Sequence, residues 1–156
     1  MDIVSTTFLA DVHLGKLARL LRLLGFDTLC ESSFTTAGLT SIAARQKRTL
    51  LTRNALPGND DTINSFFIRY EEPKDQLQQV LNHFELKDEI HPFTRCLVCN
   101  AVLETVLKEA ILLQLAESTS KYYNDFWQCT HCKRIYWKGS HYNRMLNLIS
   151  SIKNLN

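Results

Sequence analysis

The sequence predicts an α/β protein in which a parallel sheet is followed by a small domain built around four cysteines. Short β-rich segments alternate with helical patterns through residues 1–91. Such alternation is typical of a parallel sheet with helices packed on its faces. Beyond residue 91 the pattern changes, and two Cys-x-x-Cys pairs appear, at Cys96/Cys99 and at Cys129/Cys132. Two such pairs are typical of a zinc site rather than of disulfides.

The first two strand–helix pairs are predicted within residues 7–47. Thr7–Ala10 is a short apolar strand, and Lys16–Leu24 carries leucines at helical spacing. Gly25 follows this helix as a typical C-terminal glycine. Asp27–Cys30 is the second predicted strand, and Thr36–Lys47 is the second helix, with its first residue as a candidate N-cap.

The third and fourth strands are predicted at Thr49–Thr52 and Ser65–Arg69. A helix is predicted at Pro73–Phe84, with proline in its first turn. Between the cysteine pairs, Leu103–Glu117 is apolar at helical spacing. Because the pairs lie further apart than the ~15–20 residues of a simple zinc ribbon, we predict an inserted helix there. The expected domains are residues 1–91, residues 92–145 and, as a helix end or a tail, residues 146–156.

The composition is that of an ordinary globular protein. A chain of 156 residues with 45% hydrophobic residues can bury a core without disulfides. The net charge of +2 is too weak to indicate nucleic-acid binding, so local clusters must carry that argument. No apolar run approaches the ~20 residues of a membrane span, and residues 1–7 lack a secretory signal. We therefore expect a cytoplasmic protein with no membrane partner and with reduced thiols.

The two cysteine pairs form a complete set of zinc ligands. Zinc in structural sites takes four soft ligands in a tetrahedron, and such a closed site leaves no position for a substrate. The expected zinc is therefore structural. Cys30 stands apart on a predicted strand and is interpreted as a small buried apolar residue. The four predicted ligands are Cys96, Cys99, Cys129 and Cys132.

Candidate catalytic carboxylates follow the predicted strands, where ligands of parallel sheets bind. Grouped carboxylates can hold Mg²⁺ or Mn²⁺, which position a water and stabilise charge on a phosphodiester. Asp11 is the strongest candidate because it ends an apolar strand directly before a helix. Glu31, Asp60 and Asp61 are the others. For these, a role as solvated loop residues stays open.

Two basic clusters are candidates for RNA binding. Lys16, Arg19 and Arg22 are predicted on the face of the first helix opposite its leucines, beside Asp11. This arrangement suits a phosphate backbone, although a solvated helix face has the same pattern. The second cluster follows the last cysteine and mixes basic and aromatic residues, as is typical of sites for single-stranded RNA. Within it we favour Lys138 and His141, whereas the rings are as well explained by packing around the zinc.

Several motifs occur in order along nearly the whole chain: Phe8–Asp11, Leu14–Arg19, Leu21–Thr28, Leu50–Asn54, Arg95–Asn100, Phe126–Cys129 and Tyr136–Tyr142. With these motifs the sequence resembles the Mut-seven C-terminal RNase domain family, in which a PIN-like ribonuclease domain precedes a C-terminal zinc ribbon.

The resemblance implies a PIN-like three-layer α/β/α nuclease domain at residues 1–91, a zinc ribbon after it, and metal-dependent cleavage of RNA. It places the family's first acidic position at Asp11. The third-strand motif of the family normally ends in an aspartate, where this chain has Asn54. Because an amide is a neutral and weaker ligand for a divalent cation, metal affinity is expected to fall. Arg53, in the same motif, joins the candidates for RNA binding.

Three hypotheses about function follow from these residues. The first is a Mg²⁺- or Mn²⁺-dependent ribonuclease that acts on RNA, with the zinc ribbon aiding binding. The second is a non-catalytic RNA-binding module whose metal site is weakened by Asn54. The third is a protein-interaction adaptor held together by zinc, in which nucleic acid plays no part.

Overall fold

The computed structural model describes residues 6–54 and 62–154. Its first sheet is parallel, as predicted, with four strands in the order β2-β1-β3-β4. Leu9 lies in the central strand and pairs with Leu29 on one side and with Leu50 on the other. The strands are β1 (Phe8–Ala10), β2 (Thr28–Leu29), β3 (Thr49–Thr52) and β4 (Ser65–Phe67).

Three helices cover the two faces of this sheet: α1 (Gly15–Leu23), α2 (Thr36–Gln46) and α3 (Pro73–His83). Side chains alternate across a strand, so neighbouring residues of β1 enter different cores. Phe8 packs with α1 and α3, whereas Leu9 packs with α2. The predicted three-layer α/β/α arrangement is therefore confirmed for the first sheet.

Several predicted element ends differ from the structure by one or two residues, and two of the differences have a clear local cause. Thr35, not Thr36, is the N-cap of α2, because its backbone is extended and its hydroxyl accepts the N–H of Gly38 at 3.1 Å. Strand β4 ends at Phe67 instead of Arg69. Beyond Phe67 the side chain of Gln79 takes the place of a neighbouring strand. It donates to the carbonyl of Phe67 at 2.9 Å and accepts the N–H of Arg69 at 3.0 Å.

Gly25 ends α1 in the way the sequence predicts. Its φ is +95°, its N–H bonds to the carbonyl of Arg22, and the N–H of Phe26 bonds to the carbonyl of Leu21. This is the Schellman arrangement, which favours glycine at the residue with positive φ. A Cβ at this position would lie 2.2 Å from the carbonyl oxygen of His91. The glycine therefore allows the segment after α3 to pack on the end of α1.

We expect Gly25→Ala to lower the free energy of unfolding by about 3 kcal/mol or more, because it combines a disfavoured φ with a backbone clash. Gly15→Ala is the matched control. No atom lies within 4 Å of a Cβ placed at Gly15, so we expect a change within about 1 kcal/mol. Urea denaturation of the two variants measures the difference, and equal midpoints would contradict the prediction.

The second sheet is antiparallel, in the order β5-β6-β7: β5 (Leu103–Val106), β6 (Phe126–Cys129) and β7 (Ile135–Trp137). Strand β5 corrects the prediction of a single helix over Leu103–Glu117, which is wrong. Its pairing with β6 overrides the helical spacing of its apolar residues. The rest of the insertion forms α4 (Lys108–Ile111), a 3₁₀ turn (Leu112–Gln114) and α5 (Glu117–Tyr122).

The last described helix is α6 (Ser140–Asn154), so residues 146–154 continue a helix. Ile149 and Ile152 are buried in the core that also contains Phe8 and the apolar faces of α1 and α3. Helix α6 thus leads from the second sheet back to the first. No helix in the described ranges is both long and apolar enough to cross a bilayer. The predicted domain boundaries at residues 91 and 145 stay predictions.

Candidate functional site

The four predicted zinc ligands come together. Their Sγ atoms all lie within 4.8 Å of one another, with Cys96 to Cys132 at 3.6 Å and Cys99 to Cys129 at 3.3 Å. A tetrahedral zinc with Zn–S bonds of ~2.3 Å requires sulfurs ~3.8 Å apart. A disulfide would need ~2.05 Å, and all four thiols are free. The cluster can therefore hold one zinc ion.

The backbone around the cysteines forms two matching tight turns. The residue after each pair has a positive φ, at Asn100 (72°) and Lys133 (62°). The N–H of Cys132 points to the Sγ of Cys129 at 3.4 Å. Bonds of this kind stabilise thiolates, which are the form that binds a metal.

Tyr136 connects the second sheet to the first cysteine turn. Its hydroxyl lies 3.1 Å from the Sγ of Cys96 and accepts the N–H of Leu97 at 3.2 Å. Burial raises the pKa of the Cys96 thiol, but hydrogen bonds from Tyr136 and from backbone N–H groups outweigh it and bring that pKa to about 6. Burial and the neighbouring thiols raise the pKa of Cys99 to about 12. A divalent cation favours the thiolate form of all four ligands.

Arg22 is buried under the first cysteine turn, which contradicts its predicted contact with RNA. Only 6% of the residue is exposed. Its Nη1 donates to the carbonyls of Leu97 and Val98 at 3.1 and 2.9 Å, and its Nε donates to the carbonyl of Thr28 at 2.9 Å. The helical pattern correctly placed Arg22 away from the leucines, but a segment distant in sequence covers that face. Arg22 therefore ties the cysteine site to strand β2.

Asn100 makes the second tie between the cysteine site and the first sheet, and the sequence assigned it no role. Its Oδ1 accepts the N–H of Thr28 at 2.9 Å, and its Nδ2 donates to Asp27 at 2.8 Å. Asp27 also pairs with Arg48 at 2.7 Å and with Arg95 at 3.6 Å. Burial raises the pKa of Asp27, but its bonds to Arg48 and Asn100 and the nearby cations leave that pKa below the ordinary value.

Asp11 lies at the carboxyl end of β1, as the strand rule predicts. Its Oδ1 accepts the N–H of His13 at 2.9 Å, and its Oδ2 accepts Nδ2 of Asn54 at 3.2 Å. The thiol of Cys30 lies 3.7 Å from the carbonyl oxygen of Asp11. These residues follow three neighbouring strands, β1, β2 and β3, and meet at one edge, which we call the Asp11 edge.

The other predicted catalytic carboxylates do not complete this site within the described residues. Glu31 is exposed after β2, and Asp60 and Asp61 lie outside the described residues. In the ranges 6–54 and 62–154, the four cysteines are the only group of three or more side chains placed to hold a metal. Asp11 and Glu31 therefore do not form such a group with a third ligand inside these ranges.

The remaining predicted RNA contacts are at the surface. Lys16 and Arg19 are exposed on α1, which begins shortly after Asp11. Arg53 is exposed next to Asn54 and lies 3.6 Å from Glu71. The last two, Lys138 and His141, are exposed beside the second sheet.

Together, these features define an α/β protein with a parallel sheet to which a four-cysteine, zinc-ribbon type of sheet is attached. The sequence profile of the Mut7-C RNAse domain matches residues 6–149. The chain therefore belongs to the Mut7-C RNAse domain family, which confirms the resemblance seen in its motifs. Neither the curated proteins nor the solved structures contain a match to the chain.

Proposed function

We propose that the protein is a Mg²⁺- or Mn²⁺-dependent ribonuclease that hydrolyses RNA phosphodiesters at the Asp11 edge. One observation carries this proposal. In a chain of an RNAse family, Asp11 is a buried carboxylate at the carboxyl end of a central strand, where parallel sheets bind ligands. Its two oxygens are oriented by donors from His13 and Asn54.

The metal dependence rests on Asp11 together with residues from the neighbouring loops. We assign Asp11 as the first ligand, and Glu31, Asp60 and Asp61 as the candidates to complete the set. A bound divalent ion supplies an activated water and stabilises the charge that develops on the phosphodiester. Asp11 itself contributes a negative charge in a fixed position, because His13 and Asn54 hold its two oxygens.

RNA binding is assigned to exposed cations in two places. Lys16, Arg19 and Arg53 flank the Asp11 edge and suit phosphate contacts. Lys138 and His141 lie beside the second sheet, which a structural zinc ion would hold in place. Because all five cysteines are free, we also propose a reducing, cytoplasmic location.

The test is cleavage of a labelled single-stranded RNA in the presence of Mn²⁺ by the wild type and by Asp11→Asn. Loss of cleavage in the variant supports the ribonuclease. Equal cleavage by both proteins would reject it. An absence of binding to several RNAs would favour the third hypothesis, an adaptor without nucleic acid.

A second candidate function is a non-catalytic RNA-binding module, and Asn54 favours it. The amide is neutral, and its Nδ2, not its oxygen, faces Asp11. A cation between the two side chains requires Asn54 to turn its oxygen inward, and the pair then carries one negative charge instead of two. RNA binding without any Mn²⁺-dependent cleavage would identify this function.

We expect Asn54→Asp to increase Mn²⁺-dependent cleavage by about tenfold at low Mn²⁺, because it adds an anionic ligand beside Asp11. Asn54→Ala is the control, since it removes the amide without adding charge. Initial rates over a range of Mn²⁺ concentrations give both the maximal rate and the concentration for half of it. If Asn54→Asp and Asn54→Ala cleave at the same rates at each Mn²⁺ concentration, the missing negative charge at position 54 does not limit Mn²⁺ binding.

A further inference from the structure

The second sheet, the start of α6 and the segment before Cys96 enclose a cleft of about 270 Å³ whose lining includes five aromatic rings. None of the described residues of the Asp11 edge lines this aromatic cleft. Its rings are Phe93, Trp127, Tyr136, Trp137 and Tyr142.

Neighbouring groups fix the rings of the aromatic cleft in place. Tyr142 packs against Phe93 with ring centroids 4.3 Å apart. The hydroxyl of Tyr136 is held by the first cysteine turn. Trp137 packs over Gly139, where an added Cβ would lie 2.9 Å from the indole nitrogen. Flat surfaces that are already fixed lose little conformational entropy when another flat group stacks on them.

The charge of the aromatic cleft is positive. Lys138 and Arg95 line it, and no carboxylate of the described part of the chain does. Arg95 already pairs with Asp27, but no carboxylate in the described ranges pairs with Lys138. The Nζ of Lys138 lies 5.6 Å from the ring centres of both Trp127 and Tyr142. Within the described ranges, the ammonium of Lys138 thus has two aromatic faces beside it and no carboxylate partner.

Two other surface clefts contain carboxylates beside their rings and cations. The cleft beside β4 sets Asp75 beside Arg69, and the cleft beside α4 sets Glu109 and Asp125 beside Lys108 and Lys138. Carboxylates repel a phosphate chain, so neither cleft suits RNA as well as the aromatic cleft does.

We propose that the aromatic cleft binds one unstacked base of single-stranded RNA, with Lys138 on the adjoining phosphate. The inference rests on the proposed function, because it takes RNA as the substrate. Stacked rings and a nearby cation are what a nucleotide requires, and every base has faces that can stack. The volume lies at the lower end of small-ligand pockets and suits a single base, not a base pair. The cleft therefore selects single strands for the Asp11 edge.

The experiment compares Tyr142→Ala with Tyr142→Phe in the full chain. Tyr142 lies on α6 and is half-buried, and phenylalanine keeps the stacking face as a matched control. Fluorescence anisotropy measures binding of a labelled oligouridylate of about ten nucleotides. We expect Tyr142→Ala to weaken binding about tenfold or more and Tyr142→Phe to change it by less than about twofold. Circular dichroism and zinc content establish that both variants are folded.

Two further probes separate base stacking from attraction to phosphate. An abasic ribose-phosphate oligomer and an RNA duplex, both of the same length, should bind the wild type weakly and should be insensitive to Tyr142→Ala. Lys138→Gln should weaken binding of the oligouridylate and of the abasic oligomer. It should also reduce the slope of log affinity against log salt concentration by about one.

The proposal is overturned if folded Tyr142→Ala binds oligouridylate as tightly as the wild type, or if the abasic oligomer binds as tightly as RNA. The aromatic cleft would then suit an apolar peptide instead.

Different results would contradict the ribonuclease proposal and the proposal for the aromatic cleft. Loss of binding in Tyr142→Ala without Asp11-dependent cleavage would reject the nuclease alone, and Asp11-dependent cleavage that is insensitive to Tyr142→Ala would reject the cleft alone.

Discussion

Cys129→Ser is expected to release zinc and to unfold the second sheet. Cys129 is buried in the central strand β6, opposite Leu103 of β5. Neither apolar core of the described residues takes a buried side chain from β5, β6 or β7. Three short strands with so small a core depend on metal binding for their stability, since a structural zinc contributes folding free energy directly.

The effect of Cys129→Ser should extend to the first sheet through Arg22 and Asn100. If the cysteine turns open, the buried guanidinium of Arg22 loses the carbonyls of Leu97 and Val98. The N–H of Thr28 also loses its acceptor on Asn100. Breaking a buried charged group's bonds costs at least about 3 kcal/mol, which lowers the melting temperature by about 10 °C for a chain of this size.

The measurement is zinc content per chain together with a thermal melt. Cys30→Ser is the control, because Cys30 lies apart from the four ligands and a serine hydroxyl can also donate to the carbonyl of Asp11. A chelator should reproduce the effect of Cys129→Ser in the wild type. Unchanged zinc content and melting temperature in Cys129→Ser would show that the cluster does not depend on this ligand.

The sequence predicted those parts of the site that depend on local spacing. The four cysteines were found because each pair forms its own tight turn, and Asp11 was found because it ends a strand. Both signals lie within a few residues, and the structure confirms both positions. The parallel sheet was predicted for the same reason, since its strands and helices alternate with distinct periods.

The parts that the sequence did not predict depend on distant segments. Arg22 faces away from the leucines of α1, as its spacing indicates, but residues 75 and 76 positions later cover it. The apolar spacing of Leu103–Glu117 fits a helix, and only pairing with Phe126–Cys129 makes its start a strand. In each case the prediction from the local pattern was wrong, because a contact between remote residues decided the outcome.

The aromatic residues near the cysteines differ in what they contact, and contact with RNA stays a proposal. Phe126 is buried, and Tyr136 is bonded to Cys96, so these two rings stabilise the second sheet. Trp127 and Tyr142 are half-buried, and both lie under Lys138 in the aromatic cleft. The composition of the segment could not separate these roles, because both require the same residue types.

Asp11→Asn is expected to lower Mn²⁺-dependent cleavage of single-stranded RNA at least about a hundredfold. The substitution keeps the size of the side chain, and its oxygen can still accept the N–H of His13. Among the described residues it removes the one buried carboxylate at the Asp11 edge, so that two amides face each other where a cation requires negative charge. RNA affinity should stay unchanged, because the phosphate contacts are assigned to the neighbouring cations and not to Asp11.

Asp88→Asn is the matched control, since it makes the same change at an exposed carboxylate of a 3₁₀ turn. Cleavage rates and binding by anisotropy are measured on the same preparations, so a loss of rate at constant affinity assigns Asp11 to the chemistry. A parallel loss of affinity would instead assign it to RNA binding or folding. Equal cleavage by the wild type, Asp88→Asn and Asp11→Asn would reject cleavage at the Asp11 edge, because a carboxylate that holds the reacting ion cannot be replaced by an amide without loss of rate.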